Sequence, residues 1–328
     1  MSHTQAWCWH APGEPGQLTL IRQALPVPGA NDVLIANRVI ALNPVDWKLI
    51  EHGHPQWQPG HVPGVDGMGT IVALGANVSH LRLGTRVAYH TDLRHGGSFA
   101  HHSCVPARAL LPVPDALSDE AAAALPCPGL TAWQALAKLP RLHGEALLIT
   151  GAGSNVGRFA VQLALRQGAR VFASASHRHH GWLKQLGVQG VADYREHDWL
   201  VKLQAANGGE PFEGIIDLVS SQQAETLLPA LGYYGHMVTV LGRIARNPQP
   251  PFSHCHSLHE IALGAQHAFG TDRQWSRLVA AGVAMMAQMA SGELGLPPLV
   301  IGDFEALPTL LDRLKHEGQG EKFLVRVA

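Results

Sequence analysis

A glycine-containing turn lies between a short apolar run and an amphipathic helix near the middle of the chain. The segment from Ala146 to Ser176 reads ALLITGAGSNVGRFAVQLALRQGARVFASAS. Its first four residues are compatible with a strand, and apolar residues recur at helical spacing from Val156 onward. Gly151 and Gly153 permit a tight turn between the two. The segment predicts a strand, a turn, a helix and a second strand in succession.

A turn of this kind aims the N-terminus of a helix at a pyrophosphate, which backbone N–H groups and the helix dipole bind. A strand, turn and helix without a ligand show the same local pattern, so the turn alone leaves both interpretations open. Further strand patterns alternate with helical patterns along the chain. Alternation of this kind builds a doubly wound parallel sheet. The strand patterns lie at residues 146–149, 170–175, 190–192, 214–219 and 236–241. This context favours an α/β fold with a dinucleotide site.

The residue that reads the adenosine ribose is expected about 20 residues after the glycines, where an acid favours NAD by binding the 2′-hydroxyl. Here the sequence is Ser174-Ala175-Ser176-His177-Arg178, which contains no acid. It offers hydroxyl groups and a cation to a 2′-phosphate. We therefore predict NADP(H), although Arg178 as an ordinary solvated residue is the alternative.

The composition fits a two-domain protein without nucleic-acid or membrane partners. The chain has 328 residues, of which 46% are hydrophobic, and its formal net charge is −1. It has no basic block of the kind that binds nucleic acid or a membrane surface. There is no signal-like N-terminal segment and no run of about 18 apolar residues that could span a bilayer. We expect a cytoplasmic location.

The cysteines and histidines predict no metal site. The four cysteines, at positions 8, 104, 127 and 255, lack the paired spacing of a zinc ribbon or a disulfide framework, so reduced thiols are expected. HHSC at 101–104 and HCHSLH at 254–259 are the candidate clusters, but neither is accompanied by further ligands at defined spacing.

The two ends of the chain differ from the middle in composition and in secondary-structure pattern. Up to about Ala121 the chain is rich in Gly and Pro, with short strand-like runs at 33–40 and 69–74. The last 30 residues or so add a strand, a helix at 304–315 and a final strand at 323–327. We predict one β-rich domain of residues 1–122, completed by about 275–328, and a second domain of residues 123–274.

Several motifs in a fixed order carry a family resemblance. They are NPVDWK at 43–48, PGVDGMG at 63–69, LPCPGLTA at 125–132, the glycine turn, and GEKFLV at 320–325. Over essentially the whole chain they resemble the medium-chain dehydrogenase/reductase superfamily, and most closely its zinc-independent quinone oxidoreductase branch. The resemblance implies a GroES-like β-rich domain, a Rossmann domain inserted before the C-terminal return, an NADPH site in the cleft between them, and a homodimer.

The resemblance also bears on zinc. Zinc-dependent members carry a cysteine at the position of Asn43, a histidine at Val65 and a second cysteine at Cys127. One ligand of three cannot hold a catalytic metal, which needs three protein ligands and an open position. The four-cysteine lobe of the structural zinc is missing as well. The resemblance therefore implies a reductase without bound metal and argues against ordinary alcohol oxidation.

The resemblance assigns roles to particular residues. Asn43 is expected beside the nicotinamide as a donor to the acceptor oxygen, and Trp47 and Tyr89 as walls of a flat apolar pocket. The implied cofactor-binding residues are Thr131 at the ribose or carboxamide, Gly151, Gly153, Ser154, Asn155, Val156 and Gly157 at the turn, Ser176, Arg178 and Tyr194 at the adenosine phosphate, Gly242 and Arg243 at the nicotinamide half, and Lys322 at a cofactor phosphate. Ser154 and Asn155 replace two family glycines, which bears on cofactor affinity.

Three acids near these positions are interpreted as structural. Asp66, a shorter counterpart of a family glutamate, holds a turn or a cation. Asp46 is expected to pair with Lys48. Asp217 either caps the next helix or faces the cofactor ribose, with capping ranked first.

The expected chemistry is hydride transfer from NADPH to a quinone or to the β-carbon of an enone or enal. These small electrophiles need no metal, because conjugation spreads the incoming charge onto an oxygen. One alternative is a zinc-free carbonyl or alcohol dehydrogenase, or an enoyl reductase. The other is a non-catalytic NADPH-binding structural protein.

Overall fold

The computed structural model describes residues 3–327, and these divide into two compact units. The described parts of Met1–Cys127 and Gly264–Ala328 form unit 1, and Pro128–Leu263 forms unit 2. The predicted domains have the same organisation, with one unit built from both ends of the chain. The second boundary, however, lies at Gly264 rather than near residue 275, because the helices that follow it pack in unit 1.

Strands and helices are named in chain order within residues 3–327. The strands are β1 (His3–Cys8), β2 (Thr19–Ala24), β3 (Asp32–Ala41), β4 (Asp66–Leu74), β5 (Arg86–His90), β6 (His102–Pro106), β7 (Leu110–Pro112), β8 (Ala146–Ile149), β9 (Arg170–Ser174), β10 (Gly190–Ala192), β11 (Phe212–Asp217), β12 (Leu231–Thr239), β13 (Ser257–Glu260), β14 (Leu299–Asp303) and β15 (Lys322–Arg326). The α-helices are α1 (Pro44–His52), α2 (Asp119–Ala123), α3 (Pro126–Leu136), α4 (Asn155–Arg166), α5 (His180–Gln185), α6 (Trp199–Ala206), α7 (Ser221–Leu227), α8 (Gln266–Phe269), α9 (Asp272–Ala290) and α10 (Leu307–Glu317).

Unit 1 is built on a mixed sheet with the order β14-β15-β3-β4-β5-β7, to which β6 is added by pairing with β3. β14 and β15 pair in parallel, and the other neighbours are antiparallel. β15 joins the sheet through β3, with Leu324 opposite Ala41. The predicted return of the last strands to the first domain is confirmed. β1 and β2 form a separate antiparallel pair.

The core of unit 1 draws on both ends of the chain. Ile40 and Phe99 come from the N-terminal part, and Phe304 and Phe323 come from the C-terminal part; all are at most 3% exposed and belong to one cluster. Burial of this apolar surface stabilises the association of the two chain segments.

Unit 2 contains a six-stranded sheet with the order β10-β9-β8-β11-β12-β13, in which every pairing is parallel. This is the order of a doubly wound dinucleotide-binding sheet, and the predicted fold class is confirmed. β8 is buried along its whole length, as its unbroken apolar sequence predicts. β13 was not predicted, because it is an edge strand whose residues Ser257–Glu260 include a single apolar side chain.

Within residues 3–327, no disulfide bond joins any of the four cysteines. None of the helices within residues 3–327 is long and apolar enough to cross a membrane.

Candidate functional site

The glycine turn of unit 2 follows β8 and leads into α4. Gly151 has a φ of 65°, a left-handed conformation that favours glycine. A Cβ at Gly153 would lie 2.2 Å from the ring of His179, and one at Gly157 would lie 2.6 Å from the Cα of Ala152. Because Gly151, Gly153 and Gly157 have no side chains, the turn packs closely against His179 and the backbone of Ala152.

Ser154 is the N-cap of α4, where a family glycine was expected. Its hydroxyl accepts a 3.1 Å hydrogen bond from the N–H of Gly157. The first N–H groups of a helix have no partner within it, and no acid occupies the first turn of α4. The turn therefore fits the phosphates of a dinucleotide, and Ser154 completes the helix start rather than disrupting it.

Residues from two neighbouring strand ends meet near the expected adenosine site. β9 and β10 pair with Ser174 opposite Ala192, so Arg178 and Tyr194 both follow the same edge of the sheet. Both side chains are exposed. Asp193 accepts hydrogen bonds from the N–H groups of His177 and Arg195, each 3.0 Å long.

The N–H of Arg195, followed by that of His177, lowers the pKa of Asp193 below its ordinary value. Its carboxylate thus holds the two loops together. Ser176 precedes the short 3-10 turn His177–His179 that presents Arg178.

Asp217 is buried at the end of β11 and is fully engaged within unit 2. One oxygen accepts hydrogen bonds from the N–H groups of Val219 and Ser220, and the other accepts them from Thr150 and Gln223. These bonds hold the loop that precedes α7, whose N-cap is Ser220. The geometry favours the structural interpretation of Asp217 over a contact with the ribose.

The remaining predicted residues of unit 2 lie in different settings. Thr131 is 7% exposed within α3. Gly242 has a φ of 87°, and a guanidinium nitrogen of the exposed Arg243 lies 3.7 Å from a carboxylate oxygen of Glu260.

Unit 1 contains a group of buried polar residues that we call the polar cluster: Asn43, Asp46, Asp66, His90 and Lys322. All are at most 6% exposed. The sheet brings them together, because Asp66 of β4 pairs directly with His90 of β5, and β15 places Lys322 next to the end of β3. Sequence reasoning missed His90, whose only sign in the sequence is a histidine at the end of an apolar strand.

Asn43 lies at the centre of the polar cluster with its amide fully engaged. Its side-chain oxygen accepts a 2.6 Å hydrogen bond from the ammonium of Lys322. Its side-chain nitrogen donates to the carbonyl of Ala41 at 3.2 Å and to Asp66 at 3.0 Å. An amide nitrogen has two hydrogens, so this arrangement does not fit the predicted donation to an acceptor oxygen. We assign Asn43 to holding the cluster together.

Lys322 is completely buried. Its ammonium donates to the carbonyl of Leu42 and to Asn43, and it lies 3.9 Å from an oxygen of Asp66. This position does not fit the predicted contact with a cofactor phosphate, because a buried and bonded ammonium cannot reach a ligand. Lys322 instead supplies the positive charge that a buried carboxylate requires.

Asp46 binds backbone rather than Lys48. One of its oxygens accepts from the N–H of Asn43 at 2.7 Å, and the other accepts from the N–H of Val65 at 3.0 Å. Burial raises the pKa of Asp46 to about 8, and the N–H of Asn43 opposes the shift. The predicted ion pair is not formed: within the described residues, the ammonium of Lys48 lies over the ring of Trp47.

The two predicted pocket walls have different environments. Trp47 is partly buried and packs on the core of unit 1. Tyr89 is completely buried, and its hydroxyl donates a 2.5 Å hydrogen bond to the side-chain oxygen of Asn37. Because no part of its ring is exposed, Tyr89 does not fit the predicted role of a pocket wall. It is a core residue.

Comparison with known proteins supplies the family. Residues 29–115 match the family model described as alcohol dehydrogenase GroES-like domain, and residues 155–283 match the model described as zinc-binding dehydrogenase. The trans-enoyl reductase tazE of Aspergillus terreus is 35% identical over 58% of this chain and 69% of its own. The quinone oxidoreductase of Sus scrofa is 28% identical over 79% of this chain and 78% of its own.

A solved structure, the quinone oxidoreductase from Coxiella burnetii, has the same fold. The two structures superpose with a TM-score of 0.82 at 23% sequence identity, and the match covers 100% of each chain. The chain belongs to the medium-chain dehydrogenase/reductase superfamily, in its quinone oxidoreductase-like branch. It is an oxidoreductase of the type that uses a nicotinamide dinucleotide. The predicted resemblance is confirmed.

Some members of the superfamily bind zinc, and three residues at the polar cluster offer atoms that could hold a metal ion. Asp66, His90 and Cys127 each place a ligand atom within 4.8 Å of the other two. However, one oxygen of Asp66 already accepts from Asn43 and from the N–H of Cys127, and the other bonds Nδ1 of His90 at 2.8 Å.

A dication at this point would displace those hydrogen bonds and would also lie near the buried ammonium of Lys322. The residues of this superfamily member, as arranged, therefore do not fit zinc. Within residues 3–327, neither of the histidine clusters at 101–104 and 254–259 brings three ligand atoms together.

Proposed function

We propose that this chain is an NADPH-dependent, zinc-independent reductase that transfers a hydride to a quinone or to the activated double bond of an enone or enal. The observation that carries the proposal is its similarity to a quinone oxidoreductase and to a trans-enoyl reductase, together with the buried ammonium of Lys322 beside Asp66. Both named activities reduce conjugated acceptors, whose oxygen receives the charge without a metal.

The cofactor choice rests on unit 2. Bound NADPH would supply the hydride, and the turn from Gly151 to Gly157 would hold its phosphates at the start of α4. Ser176, Arg178 and Tyr194 follow two neighbouring strand ends and offer hydroxyl groups and a cation to a 2′-phosphate. The nearest acid, Asp193, is engaged with backbone N–H groups and supports these loops.

A second candidate is an enoyl reductase, for which the relative from Aspergillus terreus is the specific support. It differs from the first in the acceptor alone. Quinones accept the hydride with little need for an added proton, whereas the enolate left by an enoyl substrate is strongly basic. The two candidates are separated by the acceptors that support turnover.

Two measurements test the proposal. Titration of the fluorescence of the eight tryptophans with NADPH and NADH in parallel measures cofactor preference. Oxidation of NADPH at 340 nm is then followed with 9,10-phenanthrenequinone, cyclohex-2-enone, an enal, an enoyl thioester and a simple aldehyde, beside metal analysis of the protein. We expect tighter binding of NADPH and turnover with the quinone, the enone and the enal, whereas turnover with the enoyl thioester alone would favour the second candidate.

Turnover of the aldehyde would favour the carbonyl dehydrogenase alternative. Tight NADPH binding without any oxidation would favour a structural protein, and stoichiometric zinc would contradict the metal-free proposal. We further propose a cytoplasmic homodimer; light scattering during gel filtration and cell fractionation test the two parts.

A further inference from the structure

The loop after β10 presents a second arginine beside the loop of Arg178. Arg195 lies three positions after Ala192, the last residue of β10. Arg178 lies four positions after Ser174, the last residue of β9. Ser174 and Ala192 are register partners in the parallel sheet, so the two loops leave the same carboxyl edge. Ligands of open α/β sheets bind at this edge.

The side chain of Asp193 joins the two loops. Its Oδ2 accepts the N–H of His177, the residue before Arg178, at 3.0 Å. Its Oδ1 accepts the N–H of Arg195, also at 3.0 Å. A guanidinium nitrogen of Arg195 lies 3.7 Å from the same Oδ2. One carboxylate oxygen is therefore close both to the guanidinium of Arg195 and to the start of the turn that presents Arg178.

The guanidinium of Arg195 is available to a ligand. The side chain is 61% exposed, and its contact with Asp193 is too long for a hydrogen bond. Within residues 3–327, none of its side-chain N–H groups donates a hydrogen bond. The guanidinium carbon lies 5.1 Å from the centre of the ring of Tyr194, an attraction that holds the group beside the loop. Arg195 thus keeps its side-chain donors for an anion.

We propose that Arg195 is a further specificity-determining residue, which binds the 2′-phosphate of NADPH together with Arg178. Asp193 is a positioning residue, because it holds Arg195 beside the turn that carries Arg178. This inference rests on the proposed function, in which NADPH is the cofactor. Two guanidinium groups from separate loops contact one phosphate, and each adds charge-assisted hydrogen bonds that NADH cannot receive.

The charge of Asp193 and its hydrogen bonds act on the phosphate in opposite directions. The negative charge repels the phosphate. The two accepted N–H groups hold the loops in the arrangement that binds it. Asp193→Asn removes the charge, and one of the two N–H groups loses its acceptor whichever way the amide is turned. Weaker phosphate binding in this variant indicates positioning, whereas tighter binding indicates an effect of charge alone.

Two probes isolate the 2′-phosphate. Adenosine 2′,5′-bisphosphate and 5′-AMP differ in that phosphate alone, and neither carries the nicotinamide. Calorimetry with the full chain gives both dissociation constants, and unfolding in urea gives the stability of each variant. Arg195→Ala retains the backbone N–H that Asp193 accepts. The matched control is Arg141→Ala, which removes the same charge from an exposed arginine of unit 2 that precedes β8, at the amino edge of the sheet.

We expect Arg195→Ala to weaken the bisphosphate by about tenfold or more and to leave 5′-AMP within about twofold, because the lost hydrogen bonds join two charged groups. Arg195→Lys keeps the charge without the planar fork and should retain part of the preference. Asp193→Asn should weaken the bisphosphate several-fold while 5′-AMP changes little. Arg141→Ala should leave both constants and the urea midpoint unchanged.

Equal weakening of the two probes in Arg195→Ala, or an unchanged preference for the bisphosphate, would overturn the role of Arg195. Tighter binding of the bisphosphate by Asp193→Asn would overturn the positioning role. Both results leave the proposed function intact as long as the wild type prefers the bisphosphate. A wild type that binds the two probes equally would overturn the choice of NADPH in the proposed function together with this inference.

Discussion

The ammonium of Lys322 donates a 2.6 Å hydrogen bond to the side-chain oxygen of Asn43, and both residues are buried in unit 1. The bond joins the last strand of the chain to the start of α1. It also places a positive charge 3.9 Å from Asp66, which is completely buried. This cation compensates the buried carboxylate of Asp66.

Replacement of Lys322 by methionine should destabilise unit 1 strongly, because Asp66 then remains as a buried carboxylate without its cation. Loss of one partner of a buried charge pair costs about 3–5 kcal/mol. The free energy of unfolding is measured in urea. Lys202→Met, at an exposed lysine paired with Glu196, is the control and should leave the midpoint unchanged. A midpoint equally unchanged in Lys322→Met would show that the ammonium does not compensate Asp66.

Tyr89→Phe tests the assignment of Tyr89 to the core. The variant removes the donor to Asn37 and should lower the free energy of unfolding by about 1–3 kcal/mol, with kcat and KM unchanged. The same change at Tyr233, which is 68% exposed, should have no effect on the midpoint. An altered KM for the acceptor without loss of stability would return Tyr89 to the pocket wall.

Ser154 separates helix capping from phosphate binding. Ser154→Ala should cost about 1 kcal/mol of stability through loss of the cap on α4. Ser154→Asp retains a capping oxygen and adds a negative charge, so it should preserve stability while weakening NADPH by about tenfold or more. Fluorescence titration measures the affinity. NADPH binding of wild-type strength in Ser154→Asp would place the phosphates elsewhere.

Arg178→Ala should weaken NADPH much more than NADH, because the guanidinium would contact the 2′-phosphate that NADH lacks. Parallel titrations give the ratio of the two dissociation constants. The control is Arg166→Ala. Arg166 lies at the C-terminal end of α4, away from the glycine turn, so this variant should leave that ratio unchanged. Equal losses of both cofactors in Arg178→Ala would remove this residue from 2′-phosphate recognition.

Stability should fall as the pH decreases from about 6.5 to about 4, partly because of His267. Burial lowers the pKa of His267 to about 4, whereas an unfolded histidine titrates near 6.5. Between these values the unfolded chain binds the proton and the folded protein does not, so protons favour unfolding.

His267→Gln keeps a donor to the carbonyl of His90 and removes the titration. The slope of the free energy of unfolding against pH should decrease by about 1 kcal/mol per pH unit in this window. Urea unfolding at several pH values provides the measurement, and an identical slope in both proteins would contradict the assignment. Burial also lowers the pKa of His61 to about 4, so some pH dependence should remain.

The sequence predicted those features that depend on local pattern. The apolar run of β8, the glycines and the helical spacing after them determine the turn, and the parallel sheet of unit 2 followed from the alternation of strand and helix patterns. The edge strand β13 was missed because its pattern is not apolar. The second boundary was placed near residue 275, whereas unit 1 resumes at Gly264, because the local pattern of a helix does not show which unit it packs in.

The chemistry of the polar cluster depends on residues far apart in the chain, which explains why the sequence did not reveal it. Nothing in the vicinity of Asn43 indicates that its amide is occupied by Lys322, which lies 279 residues later in the chain. His90 meets Asp66 because β4 and β5 are neighbours in the sheet. Motifs locate such residues, but only the pairing of the strands determines which of their atoms remain available.

The return of β15 to the sheet of the first 127 residues sets an order for biosynthesis. Unit 2 is one uninterrupted stretch and has all its strands when residue 263 has left the ribosome. Unit 1 must wait for β15, and until then the carboxylate of Asp66 lacks the ammonium of Lys322. The strands of unit 2 are thus complete before those of unit 1, and the polar cluster forms with the last strand to be synthesised.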